Sequence, residues 1–124
     1  MTTPTGVAPE VVFRDGLAAG ELRFQRCQAC SAAVFPPRVL CPGCGSDALS
    51  WQRSSGRGAV YSTTAVRGRD GAHNVALIDL DEGFRMMSRV EGVAADRVLI
   101  GARVGLAVVE QDGQPVAVFR EERS

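Results

Sequence analysis

No lysine occurs in this chain of 124 residues, histidine occurs once, and cysteine is missing outside residues 27–44. Without Lys the stretch "SSGRGAV" cannot end as a phosphate-binding loop, which needs Lys followed by Ser or Thr and then a helix. The one histidine, His73, stands in "GRDGAH", a loop in which a solvated side chain is expected rather than a general base. No Ser occupies a G-x-S-x-G elbow. Asp79 and Asp81 close a strand, where Asp serves turn chemistry. The sequence therefore offers no nucleophile–base pair, and no catalytic residue is assigned.

Three further shortages narrow the class. Aromatic residues make up 6% of the chain, and the charges balance at 14 basic against 14 acidic residues. Nonspecific nucleic-acid binding draws on a basic field and on stacking platforms, and Tyr61 with Phe84 makes a thin platform. No apolar run approaches a membrane span. "MTTPTGVAPE" has no basic region followed by an apolar stretch, so no secretory signal is read. A cytoplasmic protein without a membrane partner is the expectation. In that reducing compartment clustered cysteines are expected to hold metal rather than to pair as disulfides.

What is present falls into three regions. Residues 1–26 open with a Pro/Thr-rich tail expected to be mobile. "EVVFRDGLAAGELRFQR" then places Val12, Phe13 and Leu17 on one side of a short helix, although Gly16 costs about 1 kcal/mol there. Gly20 is its expected terminator. Residues 27–49 hold the cysteines. Residues 50–124 read as β structure almost throughout. "GAVYSTTAVR" alternates Val60, Ser62, Thr64 and Val66 against Ala59, Tyr61, Thr63 and Ala65, and "NVALIDL" follows. "FRMMSRVEG" sets Phe84, Met86, Ser88 and Val90 against Arg85, Met87, Arg89 and Glu91, a half-buried strand. "ARVGLAVVEQ" and "PVAVFRE" are joined by the turn "DGQP". Five strands with a break at "VAADRVLIG" suit a partly open barrel of the OB type, or another barrel of five or six strands. Trp51, just after the cysteines, is expected to pack where the two halves meet.

The cysteines carry the sharpest signal. Cys27 and Cys30 form one Cys-x-x-Cys turn, and Cys41 and Cys44 form a second. Each turn brings two sulfurs to one side of a tight loop, and two turns supply the four corners of a closed tetrahedral site. In "CPGCG" Pro42 pre-sets the backbone, and Gly45 can take positive φ so that amides reach a thiolate. The first turn has Ser31 at the place of that glycine. A segment this small cannot bury enough apolar surface to hold itself, and bound zinc supplies about 10–16 kcal/mol in comparable peptides. A thioredoxin-like redox pair needs only one such turn and a strand–helix setting. Iron in a rubredoxin-type site would use the same four thiolates and would colour the protein red. Away from the cysteines, Arg57, Arg67 and Arg69 are candidates for contact with an anionic ligand.

"GLAAGELRFQRCQAC", "FPPRVLCPGCGS", "WQRSSGRGAVYSTTAV", "IGARV" and the trailing strands, taken in order, resemble the DUF35 family. The resemblance runs from about residue 10 to residue 120, with Ser31 its main departure. It implies a mainly β fold: a short N-terminal helix, a rubredoxin-like zinc ribbon and a five-stranded OB barrel. It also implies structural Zn2+ on Cys27, Cys30, Cys41 and Cys44. The implied partner is a thiolase-like protein that holds the catalytic residues within a hetero-oligomer. That complex would be an aldolase of steroid side-chain breakdown, a thiolase or an acyltransferase, and this chain would support the partner's fold, help shape the acyl-CoA entrance and meet acyl-CoA through the complex. By analogy the segment around Phe13 and Leu17 would dock on the partner. The competing readings are a zinc-ribbon/OB protein that binds nucleic acid and a rubredoxin-like iron electron carrier.

Overall fold

The computed structural model describes residues 8–122, and the tail expected to be mobile falls mostly on residues 1–7, outside them. Helix α1 spans Pro9–Ala18 and buries Val12, Gly16 and Leu17. It ends as the glycine pattern foresaw. Gly20 takes a φ of +80°, its amide donates to the Leu17 carbonyl at 2.9 Å, and the Glu21 amide reaches the Gly16 carbonyl at 2.7 Å. Those bonds satisfy carbonyls that a helix end otherwise strands. Gly16 serves packing: a Cβ there would meet Arg23 Cδ at 2.6 Å. Arg23 crosses the helix at that point to donate to the Val12 carbonyl at 3.3 Å.

Three strands form the first sheet. They are β1 (Arg23–Cys27), β2 (Ala33–Val34) and β3 (Leu49–Arg53), in the antiparallel order β2-β1-β3. The sheet thus begins ahead of Cys27 and continues past Leu49, so the cysteine turns sit at the end of a longer ribbon than residues 27–49.

The second sheet is the barrel. Strands β4 (Arg57–Gly68) and β5 (Gly71–Leu80) form a long hairpin, and β6 (Arg85–Ser88) pairs with β5. After Arg89 the same chain continues as β7 (Val90–Glu91), which pairs in parallel with β9 (Gln114–Glu121). Strand β8 (Arg103–Gln111) joins β9 to the start of β4. One stretch, "FRMMSRVEG", therefore spends its first half on β5 and its second on β9, which closes the sheet on itself as an OB barrel. The break at "VAADRVLIG" is a loop of turns.

Alternation along 84–91 agrees with its packing: Phe84, Met86 and Val90 are buried, whereas Met87 is 70% exposed. Alternation along β4 does not carry through. Val60 opposes Ile78 but Ser62 opposes Leu77, so Tyr61 is an extra residue that shifts the register. Each extra residue in a strand exchanges the two faces beyond it. Thr63 and Ala65 consequently pair with the buried Ala76 and Asn74, and Thr64 and Val66 face outward. Asn74 is buried and fully bonded: its amide donates to Thr63 Oγ1 at 2.8 Å and to the Ala95 carbonyl at 3.1 Å, and its Oδ1 accepts the Val90 amide at 3.0 Å.

Ribbon and barrel share one core. Leu17, Leu22 and Phe24 belong to the same apolar cluster as Val60, Ile78, Phe84, Val104 and Phe119. Phe84 stacks on Phe24 at 4.8 Å and on Phe35 at 5.1 Å between ring centroids. Trp51 is buried but not at this junction. It pairs across the sheet with Gln25, and successive strand residues face opposite ways, so it lies on the side away from Phe24.

A polar clasp borders the apolar junction. Glu82 accepts the Ser54 hydroxyl at 2.6 Å and the Ser55 amide at 2.8 Å, and its backbone carbonyl accepts from Arg26 at 3.3 Å. Partial burial opposes ionisation of Glu82, but the Ser54 and Ser55 hydrogen bonds outweigh it and hold the carboxyl below its ordinary range. The unfolded chain keeps this proton up to about pH 4.3. The stabilisation is therefore complete above that value and lost as pH falls through the lower folded-state value. Urea midpoints should place wild type above Glu82→Gln at about pH 6, and the gap should narrow steadily as pH is taken below about 4.3. A gap unchanged across that range would show that the carboxylate contributes nothing.

Candidate metal centre

The two cysteine turns fold alike. The Cys27 carbonyl accepts the Ser31 amide and the Cys41 carbonyl accepts the Gly45 amide, each at 2.8 Å. The Cys27 amide donates to Ala32 and the Cys41 amide to Ser46, at 2.9 and 2.8 Å. The antiparallel pairing of β1 with β2 and β3 brings the first turn against the second. All four Sγ atoms lie within 4.8 Å of one another. Cys27 and Cys44 sulfurs are 3.5 Å apart, and those of Cys30 and Cys41 are 3.7 Å apart. A disulfide needs about 2.05 Å, whereas four sulfurs at about 2.3 Å from a tetrahedral zinc stand roughly 3.8 Å apart. The cage fits a single zinc ion and closes every coordination position, so the metal is structural.

Backbone amides favour thiolates here. The Cys30 amide, with that of Ala29, outweighs burial and holds the Cys27 thiol down at about 7. The Cys44 and Gly43 amides lower Cys41 in the same way. At Cys30 and Cys44, by contrast, the Ala32 and Ser46 amides are outweighed by crowding from the neighbouring thiols, which pushes both up, because four like charges cannot share the cage without a cation. Hydrogen bonds to metal-bound sulfur orient the ligands and spread their charge. Cys27 and Cys41 are buried with Val34 in a small cluster, while Cys30 and Cys44 are exposed.

The serine in the first turn adopts the glycine conformation. Ser31 has a φ of +66° and Gly45 one of +79°. A side chain at positive φ costs on the order of 1 kcal/mol. Ser31→Gly should therefore raise stability by about 0.5–1 kcal/mol at unchanged zinc content. Equal denaturation midpoints for the two chains would remove the strain argument.

The other expected site residues do not converge. Arg57 gives both guanidinium arms to Glu122, at 2.8 and 3.1 Å, and is not free for a ligand. Arg67 and Arg69 are exposed at the far end of the β4–β5 hairpin, roughly 30 Å along the strand from Arg57. Leu17 is 5% exposed inside the chain's own core. Phe13 packs edge-on to Phe35 at 5.5 Å. Sequence reasoning passed over Gln25, a buried residue beside Cys27 whose side chain binds both backbone groups of Arg38. A lone Gln in a strand carries no signal of that use.

Fold and site together define a protein with a structural zinc ribbon packed on an OB barrel. Two family profiles agree: the rubredoxin-like zinc ribbon domain of ChsH2 matches residues 14–50, and the C-terminal OB-fold domain of ChsH2 matches residues 51–110. The chain belongs to the DUF35 family. Among solved structures, one described as the Ltp2–ChsH2(DUF35) aldolase superposes with a TM-score of 0.82 at 30% identity, covering 96% of this chain and 98% of that one. A probable enoyl-CoA hydratase alpha subunit of Thermomonospora curvata is 35% identical over 105 residues, 80% of this chain. The 3-oxo-4,17-pregnadiene-20-carboxyl-CoA hydratase alpha subunit of Mycobacterium tuberculosis is 33% identical over 115 residues, 89% of this chain. The chain spans about a third of the length of these two relatives, 33% and 37%.

Proposed function

We propose that this chain is a noncatalytic accessory subunit of a thiolase-like acyl-CoA enzyme. The reaction would be retro-aldol carbon–carbon cleavage beside a CoA thioester, with the reacting groups on the partner. The observation that carries this reading is the end-to-end likeness to the DUF35 part of an aldolase named for two proteins. The relative that acts on a pregnadiene-carboxyl-CoA points to steroid-derived acyl groups. The chemistry of the chain agrees: its four thiols are drawn into one cage and its histidine stands exposed on β5. No helix among the described residues is long and apolar enough to cross a membrane. A cytoplasmic setting would keep the four thiols reduced for zinc. Arg67 and Arg69 make no ion pair among the described residues, which leaves them available to an anionic part of the CoA ester.

Co-expression with a candidate thiolase-like protein from the same genome tests the reading. The two should elute as one assembly, and aldol cleavage should require both. Separate elution, with the thiolase-like protein fully active alone, would overturn it.

A further inference from the structure

We propose that the exposed turn at Arg38, Val39 and Leu40 is the knob by which this chain docks on its catalytic partner. Its occupant would be an apolar pocket of that partner rimmed by a carboxylate. This inference rests on the accessory-subunit reading and assigns that role a surface.

Val39 is 71% and Leu40 53% exposed, two adjacent aliphatic side chains in water directly ahead of Cys41. Leu99 and Ile100, ahead of β8, form a second exposed pair at 69% and 71%; what sets Val39 and Leu40 apart is how firmly they are held. Gln25 is 3% exposed, and its side chain donates to the Arg38 carbonyl at 2.8 Å and accepts the Arg38 amide at 2.7 Å. A buried polar side chain is thus spent entirely on the backbone of a solvent-facing loop. Pro36 and Pro37 restrict φ on one side of the clamp, and the zinc cage anchors Cys41 on the other. A knob held this way loses little freedom on binding, so more of its contact energy appears as affinity.

Charge around the knob states what it meets. Arg23, Arg57, Arg85, Arg89 and Arg103 each pair with a carboxylate of this chain. Among the described residues Arg38 does not, and neither do Arg14, Arg67, Arg69 and Arg97; among these Arg38 is the one whose backbone a buried side chain clamps. An open groove of about 620 Å³ separates the knob from the start of α1, with Pro9 and Glu10 on the opposite wall. Glu10 makes no ion pair across it. An aliphatic pair beside an unpaired guanidinium is complementary to an apolar pocket with an acidic rim.

Calorimetric titration into the thiolase-like protein that co-elutes with this chain tests the proposal, using Val39→Asp, Leu40→Asp, Arg38→Glu and, as control, Ile100→Asp. Ile100 is 71% exposed but lies on the barrel. Zinc content and thermal unfolding verify that each variant is folded. Each Asp variant of the knob should weaken binding by at least about 30-fold. Arg38→Glu should cost about 10-fold and flatten the dependence of affinity on salt, and Ile100→Asp should stay within about 2-fold. Wild-type binding that survives in both knob variants overturns this proposal and leaves the accessory role standing. A wild-type chain that does not bind at all removes both.

Discussion

Cys41→Ser is expected to abolish zinc binding and to unfold the ribbon. The reason is the poverty of the ribbon's own core: its buried cluster consists of Cys27, Val34 and Cys41, with Leu49 against it. Two of the three buried members are ligands, so the metal itself is most of that core. Serine keeps the size of the side chain and loses the thiolate. The energy at stake, about 10–16 kcal/mol for a structural zinc site, matches or exceeds the whole stability of an ordinary domain. Metal analysis should fall from one zinc per wild-type chain to almost none. Hydrogen exchange should lose protection across β1 to β3, whose pairing depends on the two turns. The loss should spread to the barrel, because Leu22 and Phe24 of the same segment fill the shared cluster. A chelator should reproduce the effect in wild type, and a reductant should do nothing. Full zinc and an unchanged melting temperature in Cys41→Ser would show that the cage is not what holds the ribbon.

Phe84→Ala should be the next most damaging change, at about 3–5 kcal/mol. Phe84 is 6% exposed and stands at the first residue after the β5–β6 turn, where its carbonyl accepts the Leu80 amide at 2.8 Å. Its ring lies against Phe24 of β1 and Phe35 of the loop after β2, so one side chain from the barrel joins two parts of the ribbon. Truncation leaves a cavity lined by two rings that cannot both close over it, and the cost includes the void as well as the lost transfer energy. The melting temperature should drop on the order of 10–20 °C. Unfolding should also lose its single transition, since the ribbon's zinc and the barrel's strands would then report separately. Phe84→Leu, which fills much of the volume, should recover a good part of the loss. A Phe84→Ala cost below about 1 kcal/mol would mean that the junction is held elsewhere.

The cage was legible because its spacing is short. Two Cys-x-x-Cys turns need only local backbone to aim their sulfurs, and their equivalent hydrogen bonds follow from the same local geometry. Gly20 was legible for the same reason, as was the turn "DGQP". There Asp112 and Gly113 both take positive φ, and Gln111 faces Gln114 across a two-residue hairpin. The strand at 84–91 showed its buried face because alternation is a property of one strand. It did not show its two partners, since pairing with β5 and then with β9 depends on where distant strands lie.

Other features were decided only when the sheets came together. The extra residue at Tyr61 reversed the faces of β4, and an alternating string reads equally well in either register. Trp51 looked like a junction residue because it follows directly on the cysteines, yet its strand parity turns it away from Phe24. Leu17 was assigned to docking by analogy with the family, and in the fold the chain's own core covers it. Gln25 gains its role from a backbone 13 positions away.

Chemistry confined to neighbouring residues, meaning the sulfur cage, the helix end and the tight turns, was already written in the order of amino acids. Its energetics close within a few residues and do not wait for the rest of the chain. Which faces meet, which arginines keep a free charge and which apolar side chains are left in water were settled by packing. Those outcomes turn on contacts between segments far apart in sequence, where register and strand partner are chosen by the whole barrel at once.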